Sequence, residues 1–145
     1  MTLKRKKAKP RARGTGCQLG RRCIAIGEYQ GKRVCAKHWA DALFAAETRD
    51  ACDGNCWLNG TDSIACNGRL QCAHIISRRY LAIRWADDNA MPLCSAHHVY
   101  YTHHPLEWEQ LCISIGVDWE DLRRRALYDP PMDPLAVIER LKGAA

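Results

Sequence analysis

Nine cysteines and six histidines carry most of the chemistry in this chain of 145 residues. The first cluster comprises Cys17, Cys23, Cys35 and His38. Three thiolates and one imidazole are the number and type of ligands in a closed tetrahedral zinc site. Cys35 and His38 are three residues apart where a helix is predicted to begin, so they share one helix face. We predict a structural zinc site here, the alternative being unrelated buried thiols and a surface histidine.

A second group of polar residues, in the middle of the chain, consists of His74, Asn89 and His98. The sequence predicts a strand, a loop, a second strand and a helix in this region, with one of the histidines on each arm. Histidine suits proton transfer because its ordinary pKa lies near neutrality, and neutral imidazole is a common metal ligand. The pattern therefore predicts a ββα hairpin that grips one divalent metal ion.

The segments around these residues resemble a known family. They read His74-Ile-Ile-Ser-Arg-Arg, Arg84-Trp-Ala-Asp-Asp-Asn and Pro105-Leu-Glu-Trp. Together with the spacing of the two histidines and the asparagine, they resemble HNH endonucleases of the ββα-metal superfamily, phage-encoded ones in particular, over about residues 52–108. The first cluster is similar to short zinc modules that precede nuclease cores in some phage proteins.

The resemblance implies a metal-dependent DNA endonuclease that hydrolyses phosphodiester bonds and leaves 5′-phosphate ends. It implies that His74 is the general base and that Asn89 braces the loop through hydrogen bonds to the backbone. His98 would bind the catalytic divalent ion, which is Mg²⁺, Mn²⁺, Ni²⁺ or Zn²⁺. Partners would be DNA and, by the same resemblance, phage packaging or recombination proteins.

One position departs from the family pattern. The residue before the general base often binds the metal in that family, but here it is Ala73, which has no ligand atom. Thr102 shares a helix face with His98, whereas His103 carries the better ligand, and we expect His98 and His103 to hold the ion. Ala73 also suits an alternative, a zinc-stabilised DNA-binding module without cleavage activity. A further alternative is an accessory protein that acts through its C-terminal helices.

The resemblance also implies a second structural zinc site that clamps the hairpin. Its expected ligands are Cys52, Cys56, Cys94 and His97. Cys66 can substitute for any of them. Cysteines left without a metal usually behave as small buried hydrophobic residues.

Positive charge is concentrated at the start of the chain. The formal net charge is +6, and seven lysines and arginines lie within the first 13 residues. This composition predicts a disordered tail over residues 1–16 that binds polyanions, or else a merely solvated terminus. A stretch without acidic residues surrounds His74, and arginine matches phosphate oxygens well. We expect DNA contacts there from Arg78, Arg79 and Arg84.

Composition limits the remaining possibilities. Hydrophobic residues make up 47% and charged residues 26%, as in ordinary globular chains. No apolar run reaches the roughly 18 residues of a membrane helix, and the basic start lacks the apolar core of a secretory signal. An odd cysteine count argues for a reducing compartment, hence the cytoplasm, that of a bacterial host if the protein is phage-encoded. The oligomeric state is open, with a homodimer as one alternative.

These observations together predict a small α+β protein with a ββα-metal (HNH) core, an N-terminal Cys3His zinc module and C-terminal helices. The expected division is a tail at 1–16, a zinc module and helix at 17–50, the core at 51–104 and a helical cap at 105–145. Strands are expected at 69–77 and 91–93. Helices are expected to start near Cys35, Ser95, Pro105, Asp118 and Pro134, the second of them with Ser95 as its cap.

Overall fold

The computed structural model describes residues 16–20 and 23–143. Within them lie two antiparallel sheets of two strands each and five helices, so the predicted small α+β class is confirmed. The chain divides into two compact units, Met1–Trp39 and Ala40–Ala145. Residues 1–15 of the predicted tail lie outside the described residues. No described helix is long and apolar enough to cross a membrane.

The first unit contains a short hairpin that leads directly into a helix. Strands β1 (Gly27–Tyr29) and β2 (Lys32–Val34) pair in antiparallel register, and helix α1 (Ala36–Asp50) begins two residues after β2. The turn residues Gln30 and Gly31 have φ angles of 50° and 74°. Two positive φ angles in a two-residue turn match the right-handed twist of a hairpin. The hairpin therefore leads the chain directly into α1, the helix expected to start near Cys35.

A second hairpin forms the centre of the other unit. Strand β3 (Leu70–His74) pairs in antiparallel fashion with β4 (Ala90–Cys94), from Leu70 opposite Cys94 to His74 opposite Ala90. The 15-residue connection ends in a short 3-10 turn at Asp87–Asn89. Helix α2 (Ser95–His103) follows β4 immediately. Ser95 is thus the first helical residue, and the prediction that it caps the helix is wrong.

Three further helices complete the second unit. They are α3 (Pro105–Ser114), α4 (Trp119–Tyr128) and α5 (Pro134–Gly143). The helix expected to start near Asp118 is present, and the Asp118 carboxylate caps it by accepting a hydrogen bond from the Asp121 amide at 3.0 Å. Trp108 is buried and donates its indole hydrogen to the Ile75 carbonyl at 2.9 Å, which fixes α3 against the end of β3.

The core of this unit lies between the hairpin and the helices that follow it. All five residues of β4 are buried. The apolar cluster joins residues from the loop before β3, from both strands and from three helices: Cys56, Leu58, Ala73, Ile75, Met91, Leu93, Cys94, Tyr101, Trp108, Cys112 and Leu122. Such a core holds the two ends of the hairpin in fixed positions relative to α2.

Candidate functional site

The first Cys3His cluster is assembled as predicted. The Nδ1 atom of His38 lies 3.3 Å from the sulfur of Cys17, 3.4 Å from that of Cys23 and 3.2 Å from that of Cys35. All four ligand atoms lie within 4.8 Å of one another. The edges of a tetrahedron around zinc with sulfur and nitrogen ligands are about 3.5 Å long. The cluster can therefore hold a metal ion.

Gly20 makes the first cluster possible by its lack of a side chain. A Cβ atom at this position would lie 2.3 Å from Cε1 of His38 and 2.8 Å from the sulfur of Cys23. Any other residue would displace one of these two ligands. The absence of a side chain at Gly20 thus leaves room for His38 and Cys23 as ligands.

The second Cys3His cluster contains Cys66 in place of one predicted ligand. The sulfur atoms of Cys56, Cys66 and Cys94 lie 3.5, 3.6 and 3.0 Å from Nδ1 of His97. The four ligand atoms again lie within 4.8 Å of one another. The structure contradicts Cys52 as a ligand, because its thiol donates to the Arg49 carbonyl at 3.0 Å. Cys66, an exposed residue of the segment before β3, takes the fourth ligand position instead.

His97 has an outer partner that the sequence analysis missed. Its ring is fully buried, and its Nε2 atom lies 3.0 Å from an oxygen of Asp62. The second Asp62 oxygen accepts a hydrogen bond from the Tyr101 hydroxyl at 2.6 Å. A carboxylate on the far nitrogen of a metal-binding histidine fixes the ring and its tautomer. Asp62 carries no recognisable signal in the sequence, because it lies in a polar loop far from His97 in the chain.

Electrostatics in both clusters favour a cation. Burial alone would raise the pKa of Cys17 and of Cys94, but hydrogen bonds outweigh it and lower both to about 6. Burial and the neighbouring thiols raise the pKa of Cys23 to about 11 and that of Cys66 to about 12. Three ionised thiols this close repel one another. A divalent ion removes the repulsion, since thiolates are the form that binds metal.

His74 and His98 line the same cavity. His74 is the last residue of β3 and His98 the fourth of α2, and the cavity between them has a volume of about 120 Å³. Its remaining lining residues are Ala73, Ile75, Leu93, Tyr101, Thr102 and Trp108. A water molecule occupies about 30 Å³ in the liquid. The cavity therefore has room for a few waters or one small polar group.

His74 is held as a neutral ring with one free nitrogen. Its Nε2 atom lies 2.9 Å from the Arg84 carbonyl, which can only accept, so Nε2 carries the hydrogen. Burial lowers the pKa of His74, and the hydrogen bond to Arg84 offsets only part of that effect. The ring also packs on Phe44 with 6.0 Å between the centroids. At neutral pH the Nδ1 atom of His74 is therefore available as a proton acceptor.

Asn89 makes the backbone contacts expected of a brace. Its side-chain nitrogen donates to the carbonyls of Ile83 and Ile76 at 2.9 and 3.1 Å, and its side-chain oxygen accepts from the Ile76 amide at 2.8 Å. The Asn89 carbonyl also accepts from the Ile75 amide at 2.9 Å. Asn89 is fully buried. Its amide thus joins both ends of the connection between β3 and β4, just beyond His74.

The expected catalytic metal pair does not assemble. Burial lowers the pKa of His98, and its Nδ1 atom is hydrogen-bonded to Oε1 of Gln71. His103 is exposed and does not line the cavity, because a residue five positions along a helix points about 140° away. Thr102 lines the cavity but donates its hydroxyl hydrogen to the His98 carbonyl at 2.6 Å. In the described part of the chain, the two Cys3His clusters are the groups of three or more such ligands that can share an ion.

The three arginines expected to contact DNA differ in exposure. Arg78 and Arg79 are exposed in the connection after β3. Arg84 is only 7% exposed and donates two hydrogen bonds of 2.7 Å to the carboxylate of Asp41. Burial alone would raise the pKa of Asp41, but the bonds from Arg84 outweigh it and hold the pKa below its usual range. The structure thus contradicts a phosphate contact by Arg84, whose buried side chain anchors the loop that carries the carbonyl partner of His74.

Comparison with known proteins adds no identification: neither models of protein families, nor curated proteins, nor solved structures match this chain. The resemblance of the segments around His74, Asn89 and His98 to HNH endonucleases therefore stays a prediction. A function has to be inferred from the geometry of the two clusters and of the cavity.

Proposed function

We propose that the protein is a metal-dependent DNA endonuclease of the HNH type, with its active site in the cavity between His74 and His98. The observation that carries the proposal is that these two imidazoles, from elements 20 residues apart, line one small cavity. Each ring has one nitrogen committed to an oxygen partner, which leaves the other nitrogen for chemistry. Phosphodiester hydrolysis by an enzyme of this type requires a general base and a metal ligand, and two imidazoles that line one cavity can supply both.

His74 acts as the general base in this proposal. Its Nδ1 atom accepts a proton from a water molecule whose oxygen forms the new bond to phosphorus. The bond from phosphorus to the 3′ oxygen breaks, the leaving oxygen takes a proton from solvent, and the phosphate stays on the 5′ side. A positioned general base typically contributes about 100- to 10,000-fold to the rate.

His98 is the residue that would hold the divalent ion. None of the eight described residues that line the cavity has a carboxylate. The donor set therefore suits ions that prefer imidazole, such as Zn²⁺ and Ni²⁺, better than Mg²⁺, which prefers oxygen ligands. When bound, the ion would stabilise the negative charge that develops on the phosphate oxygens. Substrate oxygens and water would complete its coordination.

We propose that Arg78 binds the DNA backbone. It is exposed, and its positive charge contributes to lowering the pKa of His74, after the larger effect of burial. Arginine presents planar donors that match phosphate oxygens. Arg79 stacks its guanidinium over Tyr80 at 4.7 Å, which leaves it at the surface of the same loop. Such contacts attach the backbone without reading its sequence.

The test is nicking of supercoiled plasmid by the zinc-loaded protein, with a panel of added divalent ions. We expect nicking with Ni²⁺, Mn²⁺ or Zn²⁺, and a loss of about 100- to 10,000-fold in His74→Ala. His103→Ala is the matched control, because His103 is exposed and does not line the cavity. Unchanged nicking in a folded His74→Ala variant would exclude His74 as the base.

The pH profile provides a second test of the same residue. The pKa of His74 lies below its ordinary value of 6.5 because the ring is buried. A general base works in its deprotonated form, so the nicking rate should rise with pH through this lowered pKa and then level off. The rate should already be near its plateau at neutral pH. A profile that rises only above pH 7 would contradict the assignment.

We also propose that both Cys3His clusters hold structural zinc. Their ligand sets are three thiolates and one imidazole, which zinc binds in closed tetrahedral sites. Elemental analysis of the purified protein should find two zinc ions per chain. A chain that folds and unfolds identically with and without chelator would refute the proposal.

A second candidate function is a zinc-stabilised DNA-binding module without cleavage activity. It is favoured because Ala73 has no ligand atom and none of the described residues that line the cavity has a carboxylate. His98 is then the single imidazole that remains to bind the metal ion. This candidate predicts DNA binding that weakens with rising salt and no nicking with any ion of the panel. The plasmid experiment therefore separates the two candidates directly.

A further inference from the structure

A chain of hydrogen bonds runs from the backbone before β3 to His98. It starts at the Arg69 carbonyl, which accepts the hydroxyl hydrogen of Ser95 at 3.1 Å. Because that hydroxyl has a single hydrogen, its oxygen is left to accept. The side-chain nitrogen of Gln71 donates to this oxygen at 3.1 Å. The orientation of the Gln71 amide is thereby fixed, with its nitrogen toward Ser95.

The orientation of this amide determines the tautomer of His98. With the Gln71 nitrogen committed to Ser95, its oxygen faces Nδ1 of His98, and the two are hydrogen-bonded. An amide oxygen can only accept, so the hydrogen of the neutral ring sits on Nδ1. Nε2 of His98 is then the nitrogen with a free lone pair. The corresponding bond in His74, from Nε2 to the Arg84 carbonyl, leaves Nδ1 free instead.

The backbone around Ser95 is built to keep this chain in place. Gly68 has a φ angle of 82°, and a Cβ atom there would lie 2.7 Å from Cβ of Ser95 and 2.9 Å from its hydroxyl oxygen. The Asn67 carbonyl accepts from the Ala96 amide at 3.0 Å. The segment before β3 thus closes tightly on the first turn of α2. A side chain at position 68 would clash with Ser95, the partner of Gln71.

We infer that Gln71 is a positioning residue for His98: it holds the ring in the Nδ1–H tautomer and leaves Nε2 as the ligand or acceptor atom in the cavity. Gln71 and Ala73 lie on the same face of β3, because side chains alternate along a strand. The small side chain of Ala73 leaves the space next to His98 open, while Gln71 fixes the ring from two residues upstream. The functional part of this inference rests on the proposed nuclease activity, but the tautomer does not.

The test is the tautomer of His98 in the full-length, zinc-loaded protein, read from ¹⁵N–¹H correlations of the ring above the pH range where histidine titrates. Signals are assigned by their loss in His98→Gln. We expect the Nδ1–H form in the wild type. In Gln71→Leu the tautomer ratio should shift about fivefold or more, the equivalent of one net hydrogen bond. Gln71→Glu keeps an acceptor oxygen and should restore the Nδ1–H form.

Nicking of plasmid by the same variants gives the functional readout. Residues that orient a metal ligand typically contribute about 10- to 100-fold to affinity or activity, so Gln71→Leu should nick that much more slowly and Gln71→Glu should recover part of the rate. Gln110→Leu, at an exposed position of α3, is the matched control. An Nε2–H form in the wild type, or an unchanged Nδ1–H form in Gln71→Leu, would overturn the inference. The expected tautomers without any nicking would refute the nuclease and leave the positioning role standing.

Discussion

The two Cys3His clusters share the same arrangement of one cysteine and one histidine at the start of a helix, and they differ in where their other two cysteines lie in the chain. In each, a cysteine directly precedes a helix and a histidine is the third helical residue: Cys35 and His38 at α1, Cys94 and His97 at α2. The first cluster takes its other ligands, Cys17 and Cys23, from positions within 18 residues before Cys35. The second cluster takes Cys56 and Cys66 from the segment before β3, so that β3 and its connection to β4 separate them from Cys94. Local pairs of ligands are therefore encoded by spacing, whereas distant ligands depend on the tertiary fold.

The clusters also differ in their surroundings. His97 is fully buried and contacts Asp62, and its cluster includes Cys94 from the core of the larger unit. Among the described residues, no carboxylate forms a hydrogen bond or ion pair with His38. We therefore expect zinc binding at the second cluster to be coupled to the packing of the hairpin and α2, and zinc at the first cluster to stabilise only the smaller unit. Three comparisons between substituted variants test this difference.

The largest effect is expected from Cys94→Ser in comparison with Cys35→Ser. Structural zinc contributes about 10–16 kcal/mol in small zinc domains, as much as the whole stability of many domains. Cys94→Ser should abolish the cooperative unfolding of Ala40–Ala145, because it removes a ligand that also lies in the core. Cys35→Ser should lose one zinc per chain and leave that unit folded. Circular dichroism melts and zinc analysis of both variants provide the measurements.

The comparison between the clusters fails if Cys35→Ser unfolds the larger unit as completely as Cys94→Ser does. It also fails if either variant retains two zinc ions per chain. In both cases the two clusters would not be separate stabilising centres.

A smaller but still large effect is expected from Cys66→Ser, with Cys52→Ser as its matched control. Cys66 supplies the fourth ligand, so its loss should weaken zinc binding at the second cluster by more than the 10- to 100-fold typical of an outer partner. Cys52 only donates a hydrogen bond to the Arg49 carbonyl, and serine can donate the same bond. Cys52→Ser should therefore change stability by less than about 0.5 kcal/mol. Zinc release in a chelator titration measures both; greater loss from Cys52→Ser would restore the ligand set expected from the sequence.

Much of the fold could be predicted from local signals. The helix starts near Pro105, Asp118 and Pro134 depend on neighbours in the chain, and all three helices begin near the predicted positions. The complete first Cys3His cluster was also predictable, because its four residues are close in sequence. The order of strand, strand and helix around His74 and His98 was predictable from the sequence pattern. The nuclease role, which the resemblance implies, stays a prediction.

The features that could not be predicted depend on contacts across long separations. Cys66 replaces Cys52, and Asp62 meets His97, because the loop before β3 folds over the start of α2. Arg84 was expected to bind phosphate because of its residue type. Its buried guanidinium instead donates to the carboxylate of Asp41, which lies 43 residues earlier in the chain. Gln71 carried no signal at all, since its partners Ser95 and His98 come together only when β3 pairs with β4.

The smallest of the three effects is expected from Asp62→Asn, which tests the outer partner that distinguishes the second cluster. Asparagine keeps the shape of the side chain but removes the charge that faces Nε2 of His97. Burial alone would raise the pKa of Asp62, but hydrogen bonds from Tyr101, the Ile64 amide and His97 outweigh it and hold the pKa below its usual range. Asp62 is therefore ionised at neutral pH, and we expect it to strengthen His97 as a zinc ligand.

Loss of this carboxylate should lower zinc affinity at one of the two clusters by about 10- to 100-fold. Chelator competition on the two-zinc protein resolves the effect, because the first cluster should release its ion at the wild-type concentration of chelator. Asp53→Asn is the matched control at an exposed position whose φ of 48° asparagine tolerates well. Equal weakening of both ions would mean that the clusters are coupled. No weakening would mean that the Asp62 contact orients α2 through Tyr101 rather than tuning the metal.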